Sequence, residues 1–89
     1  MEIESFDTPS EGREFRFIVL GGARPLRILV SVDDLRLVER ECPDPPCHEM
    51  VFVPEGARQV SIRAVDANGD VAEELFPVKD YSKEPAPLA

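Results

Sequence analysis

Apolar residues recur at every second position in the short segments of this 89-residue chain. Phe15, Phe17 and Val19 share one face of such a segment, and no stretch keeps the apolar period of a helix for three turns. Successive side chains of a strand point to opposite faces of a sheet, so this spacing predicts strands with one buried face. The pattern therefore predicts an all-β fold.

Glycine and proline separate the alternating segments, which are expected to form six or seven short antiparallel strands. We expect these strands over residues 2–6, 13–20, 26–33, 35–40, 49–53, 58–66 and 70–78. Short strands with frequent turns are typical of a sandwich. We expect residues 1–78 to form a single domain and residues 79–89 to form a flexible C-terminal tail.

A hairpin is predicted near the end of the domain. Asn68-Gly69 is the residue pair that a two-residue type I′ turn favours, because both residues tolerate a positive φ. The Asp33-Asp34 pair is also predicted to be a turn. The hairpin turn implies a register that pairs Ile62 with Leu75, Arg63 with Glu74, Val65 with Ala72 and Ser61 with Phe76.

Two stretches of the chain resemble bacterial immunoglobulin-like domains. LRILVSVDDLRLV over 26–38 is similar to their third strand, turn and following strand, although Asp34 stands where the family often has glycine. PEGARQVSIRAVDANGD over 54–70 is similar to their penultimate strand and final hairpin. The resemblance implies an immunoglobulin-like sandwich with no catalytic residues. Members of the resembled family act as spacers, adhesion modules or accessory domains.

Cys42, Cys47 and His48 are the only thiols and the only imidazole, and they lie within seven residues. Three interpretations remain open: a disulfide that closes a proline-containing loop, two reduced thiols, or a metal site. Only three such ligands are available where a closed zinc site needs four, so the sequence predicts no bound metal and no cofactor. Members of the resembled family sometimes carry a bridge between neighbouring strands, which favours the Cys42–Cys47 disulfide.

The second faces of the predicted strands carry apolar residues, so either both faces are partly covered or an exposed apolar surface binds a partner. In the register given above, this surface is the second face of the last strands, fringed by opposite charges. The predicted partner-binding residues are Leu29, Arg63, Val65, Glu74 and Phe76.

The charge balance restricts the possible partners. The net charge is −8 and the basic residues form no stripe, so nucleic acid is not expected as a partner. No apolar run is long enough to span a membrane. We expect a protein partner or an adjacent domain, and a homo-oligomer is an open alternative.

No convergent set of acid, base and nucleophile is present, so the chain is not expected to be an enzyme. The first hypothesis is a non-catalytic immunoglobulin-like interaction or spacer module. The second is a small acidic regulator, an inhibitor or immunity-type protein, that docks on a basic partner. The third is a metal-handling domain centred on Cys42, Cys47 and His48. A disulfide predicts an exported or cell-surface protein, whereas a cytoplasmic protein is expected if the absence of a signal peptide from the N-terminus is genuine.

Overall fold

Seven antiparallel strands form two sheets in the computed structural model, which describes residues 1–79. The smaller sheet has the order β1-β2-β5 and the larger has the order β4-β3-β6-β7. The all-β prediction is confirmed, and each predicted strand is present. The strands are β1 (Glu2–Ser5), β2 (Glu14–Leu20), β3 (Leu26–Val32), β4 (Leu35–Cys42), β5 (Cys47–Phe52), β6 (Gln59–Val65) and β7 (Val71–Pro77).

The inner faces of the two sheets pack on each other and form the core. Phe15, Phe17 and Val19 of β2 are fully buried, as their alternation predicts. Ile28 of β3 and Ile62 of β6 are fully buried on the inner face of the larger sheet. Each central strand therefore buries one face and leaves the other for solvent or a partner.

The last hairpin does not have the predicted type I′ turn. The Gly69 amide donates to the Asp66 carbonyl, and Gly69 alone in this loop has a positive φ, of 84°. Such a turn, closed by a left-handed glycine, makes a loop one residue longer than a type I′ turn. The Asp66 carboxylate also accepts from the Asn68 and Asp70 amides, which holds the loop in this form.

The longer loop shifts the register of β6 and β7 by one residue, so the predicted pairing is wrong. Ile62 lies opposite Glu74, and Arg63 lies opposite Glu73. A shift of one residue exchanges the two faces of a strand. The remaining pairs of the ladder include Val60 with Phe76, Ser61 with Leu75, Ala64 with Ala72 and Val65 with Val71.

The type I′ geometry occurs instead at Asp33-Asp34. These two residues have φ values of 50° and 67° and connect Val32 directly to Leu35, which lies opposite it. The Asp33 carboxylate accepts from the Arg58 and Gln59 amides. These amides hold the turn against the start of β6.

The expected C-terminal tail lies outside the described residues except for Lys79. The Lys79 amide donates to the Pro9 carbonyl at 2.8 Å, and Lys79 forms a parallel bridge with Ser10. Lys79, which was predicted to belong to the tail, therefore packs against the sandwich.

The corrected register predicts that two adjacent residues of β7 differ in their effect on stability. Phe76 packs on Phe15 with ring centroids 5.2 Å apart, whereas Leu75 is 55% exposed. We expect Phe76→Ser to lower the free energy of unfolding by about 2 kcal/mol. Leu75→Ser is expected to change it by less than about 0.5 kcal/mol. Urea unfolding of both variants measures this difference. A larger loss of unfolding free energy for Leu75→Ser would instead support the register predicted from the sequence.

Candidate protein-binding surfaces

The predicted partner-binding residues do not all share one face. Leu29, Arg63 and Val65 lie on the outer face of the larger sheet, as predicted. Glu74 and Phe76 were placed there wrongly, because their cross-strand partners Ile62 and Val60 are buried in the core. Glu73 and Leu75 take the two positions on the outer face. We name the resulting set the four-stranded face: Leu29, Arg63, Val65, Glu73 and Leu75.

Apolar and charged side chains are interspersed on the four-stranded face. Leu29, Arg63 and Glu73 form one row, since each lies opposite the next on neighbouring strands. Leu75 is exposed, and Leu29 and Val65 are half-buried. The two half-buried residues line an open depression together with Pro25, Leu26, Arg27, Glu41 and Asp66.

The outer strand of this face is acidic. Asp70 and Glu73 are exposed just before β7 and on its outer face, Glu74 is exposed on the other face of the same strand, and Arg63 is the cross-strand neighbour of Glu73. At the opposite edge of the same sheet, Arg27 of β3 pairs with Glu39 of β4 at 3.6 Å. The charges near β4 therefore compensate each other, whereas those along β7 leave a negative excess.

One buried carboxylate organises the end of the sandwich beside the depression. The Asp66 carboxylate accepts from the Ala23 amide at 3.0 Å and from the Asn68 and Asp70 amides at 2.9 Å. These bonds lower the pKa of Asp66 below its ordinary value of 3.8, the Ala23 amide most, while burial opposes them in part. The carboxylate thus joins the β2–β3 loop to the β6–β7 hairpin.

The Asp66 carboxylate is expected to make stability depend on pH in the acid range. A pKa that is lower in the folded state contributes stability above about pH 4, which is lost as the pH falls through the folded value. We expect Asp66→Asn to lower the melting temperature at pH 7 by several degrees. The difference from the unchanged protein should shrink below about pH 4. Thermal melts from pH 7 to pH 2 measure it, with Asp70→Asn as the control in the same hairpin. A difference that stays constant with pH would contradict this account.

Cys42 and Cys47 are paired with each other. Their sulfur atoms are 2.11 Å apart, which is disulfide-bonding distance, and the pair joins β4 of one sheet to β5 of the other. His48 follows Cys47 but is exposed on the outer face, where its ring stacks on Phe6. The three residues predicted as low-ranking metal ligands are therefore not brought together. No group of metal-ligating side chains occurs within residues 1–79.

The disulfide is expected to add a modest stability. The two cysteines are five positions apart in sequence. Closing so short a loop reduces the chain entropy of the unfolded state, which stabilises the fold by about 2 kcal/mol. We expect Cys42→Ser with Cys47→Ser to lower the free energy of unfolding by about this amount. Intact mass before and after alkylation checks the bond itself. Two reactive thiols in protein purified without reductant would contradict the pairing.

The outer face of the smaller sheet carries a second apolar surface, which sequence reasoning missed. Phe6, Met50 and Phe52 are 64%, 45% and 59% exposed. Arg16 lies opposite Met50, and His48 lies two residues from Met50 along β5, on the same face. We name this set the three-stranded face: Phe6, Arg16, His48, Met50 and Phe52. The alternation of His48, Met50 and Phe52 was a usable signal, but the predicted strand began one residue after His48.

Comparison with protein-family models, with curated proteins and with solved structures finds no match to this chain. Among the described residues, no helix is long and apolar enough to cross a membrane. The two outer faces and the chemistry of their side chains are therefore the features of residues 1–79 that bear on function.

Proposed function

We propose that the chain is a non-catalytic, immunoglobulin-like interaction module that binds a basic protein partner through the four-stranded face. The observation that carries the proposal is the exposure of Leu75 on the same face as the half-buried Leu29 and Val65, a face that no part of residues 1–79 covers. Exposed apolar residues fringed by charges are typical of protein-binding sites.

The order of the strands supports the immunoglobulin-like part of the proposal. A three-stranded sheet with the order β1-β2-β5 packs on a four-stranded sheet with the order β4-β3-β6-β7. Antiparallel sandwiches with Greek-key connections have this kind of arrangement, in which neighbouring strands of a sheet are not always consecutive. The disulfide between β4 and β5 supports an oxidising compartment for the protein.

The charge of the four-stranded face supports a basic partner. The negative excess along β7 lies next to Leu75, so a partner that buries Leu75 also meets Glu73. The acidic net charge of the whole chain favours approach of a basic protein over long distances. Such attraction raises the association rate and weakens as salt is added.

A photoreactive amino acid at position 75 tests the proposal. We expect it to cross-link a basic protein in extracts of the source organism, whereas the same group at Leu35, which is exposed at the start of β4, is expected not to. The captured protein is then purified and its binding to the unmodified module is measured by calorimetry. We expect Leu75→Lys to weaken this binding at least about tenfold, because it buries a cation against a basic surface.

The matched control is Leu35→Lys, which makes the same change of charge away from the four-stranded face. Leu35 is 75% exposed, so the substitution leaves the core intact. Equal binding by both lysine variants would show that the partner uses another surface. Binding that does not weaken between low and physiological salt would show that the partner is not recognised by its positive charge.

A further inference from the structure

We propose that the free edge of β5 is a self-association site, at which a second copy of this chain adds its own β5 antiparallel and joins two three-stranded sheets into one. This inference is independent of the four-stranded face, which lies on the other sheet.

At three positions of β5, the backbone has hydrogen-bonding groups that no strand within residues 1–79 uses. The Val53 amide donates to the Arg13 carbonyl of the neighbouring chain segment, which fixes the direction of the alternation. Cys47, Glu49 and Val51 therefore direct their amides and carbonyls towards β2. The intervening residues direct theirs away from the sheet, where no strand of residues 1–79 pairs with β5. These residues are His48, Met50 and Phe52.

The side chains of these same residues are exposed and largely apolar. Met50 and Phe52 lie on the outer face beside Arg16 and Glu14 of β2, which are their cross-strand neighbours. Exposed edge strands of natural proteins carry charged residues, proline or bulges that prevent pairing. The outer face of β5 has none of these devices. Glu49 is a charge on the inner side, and Arg40 of β4 pairs with it at 3.9 Å, so it does not stand as an unpaired charge at the edge.

The possible pairing registers of β5 show that a second β5 can serve as the added strand. Pairing with a second β5 about a two-fold axis at Met50 opposes Met50 to itself and His48 to Phe52, and it gives about six new backbone hydrogen bonds. It also opposes Glu49 to Val51, so no like charges face each other. A shift of the axis to Glu49 opposes two carboxylates, which is unfavourable. A shift to Val51 opposes His48 to Pro54, which has no amide hydrogen to donate.

The aromatic stack next to the edge fits the same register. His48 is already stacked on Phe6, with ring centroids 6.5 Å apart and planes 10° from parallel. In the proposed pairing, Phe52 of the second copy lies beside His48 on the same face. Aromatic side chains opposite each other in a sheet stabilise the pairing of its strands.

The acidic net charge opposes this association and gives it a distinctive salt dependence. Two copies that each carry a net charge of −8 repel each other over a distance that salt reduces to about 8 Å at physiological ionic strength. Self-association through β5 is therefore expected to strengthen as salt is added. Binding of a basic partner weakens under the same change, so the two proposals are distinguishable.

Sedimentation equilibrium of the full chain, at a range of concentrations and in low and high salt, tests the proposal. We expect a reversible dimer whose dissociation constant falls as salt is added. Met50→Lys is expected to raise that constant at least about tenfold, because it places two ammonium groups next to each other on the axis. Leu35→Lys is the control, since it changes the net charge equally and lies away from β5.

A cysteine at position 50 gives a second measurement that does not depend on affinity. Opposite residues of a hydrogen-bonded antiparallel pair have Cα atoms about 5.5 Å apart, which lies within the range that a disulfide spans. We expect Met50→Cys to form a cross-linked dimer on mild oxidation and Leu35→Cys to form none. A monomer at every concentration and salt, or a dimer that Met50→Lys leaves unchanged, would overturn the proposal.

Discussion

The contact between the inner faces of the two sheets determines the rest of the structure. Phe15 of the smaller sheet packs on Phe76 at the edge of the larger one, with ring centroids 5.2 Å apart. Because the burial of apolar surface is the main stabilising term in a domain of this size, the register of each central strand must place one row of apolar residues inside. The faces left outside, which carry the proposed partner sites, are a consequence of this requirement.

Short-range pattern was sufficient to predict the strands, because their alternation and their bounding turns are local properties. The type of the last turn was not predictable in this way. Asn68-Gly69 favours a two-residue turn on its own, but the Asp66 carboxylate accepts from Asn68 and also from Ala23, 43 residues earlier in the chain. A carboxylate shared between two loops stabilises the longer turn, and no window of sequence around the hairpin contains that information.

The prediction of the partner-binding residues was affected by the same single shift. Leu29, Arg63 and Val65 precede the hairpin loop in the chain, so their faces were predicted correctly. Glu74 and Phe76 follow it and were assigned to the opposite face. The three-stranded face was missed for a different reason. The alternation of His48, Met50 and Phe52 is local, but their assembly with Phe6 and Arg16 depends on the order β1-β2-β5, which is not a local property.

The positions of the two ends of the described chain bear on how the domain responds to mechanical force. Met1 lies beside Gly21 and Gly22, after β2, whereas Lys79 bonds to Pro9, before β2. The two ends therefore lie at opposite ends of the sandwich, separated by the length of a strand. A pulling force applied at Met1 and Lys79 acts parallel to the strands and loads the hydrogen bonds of a strand pair together rather than one after another. A domain linked to its neighbours at these two points would resist extension by shear.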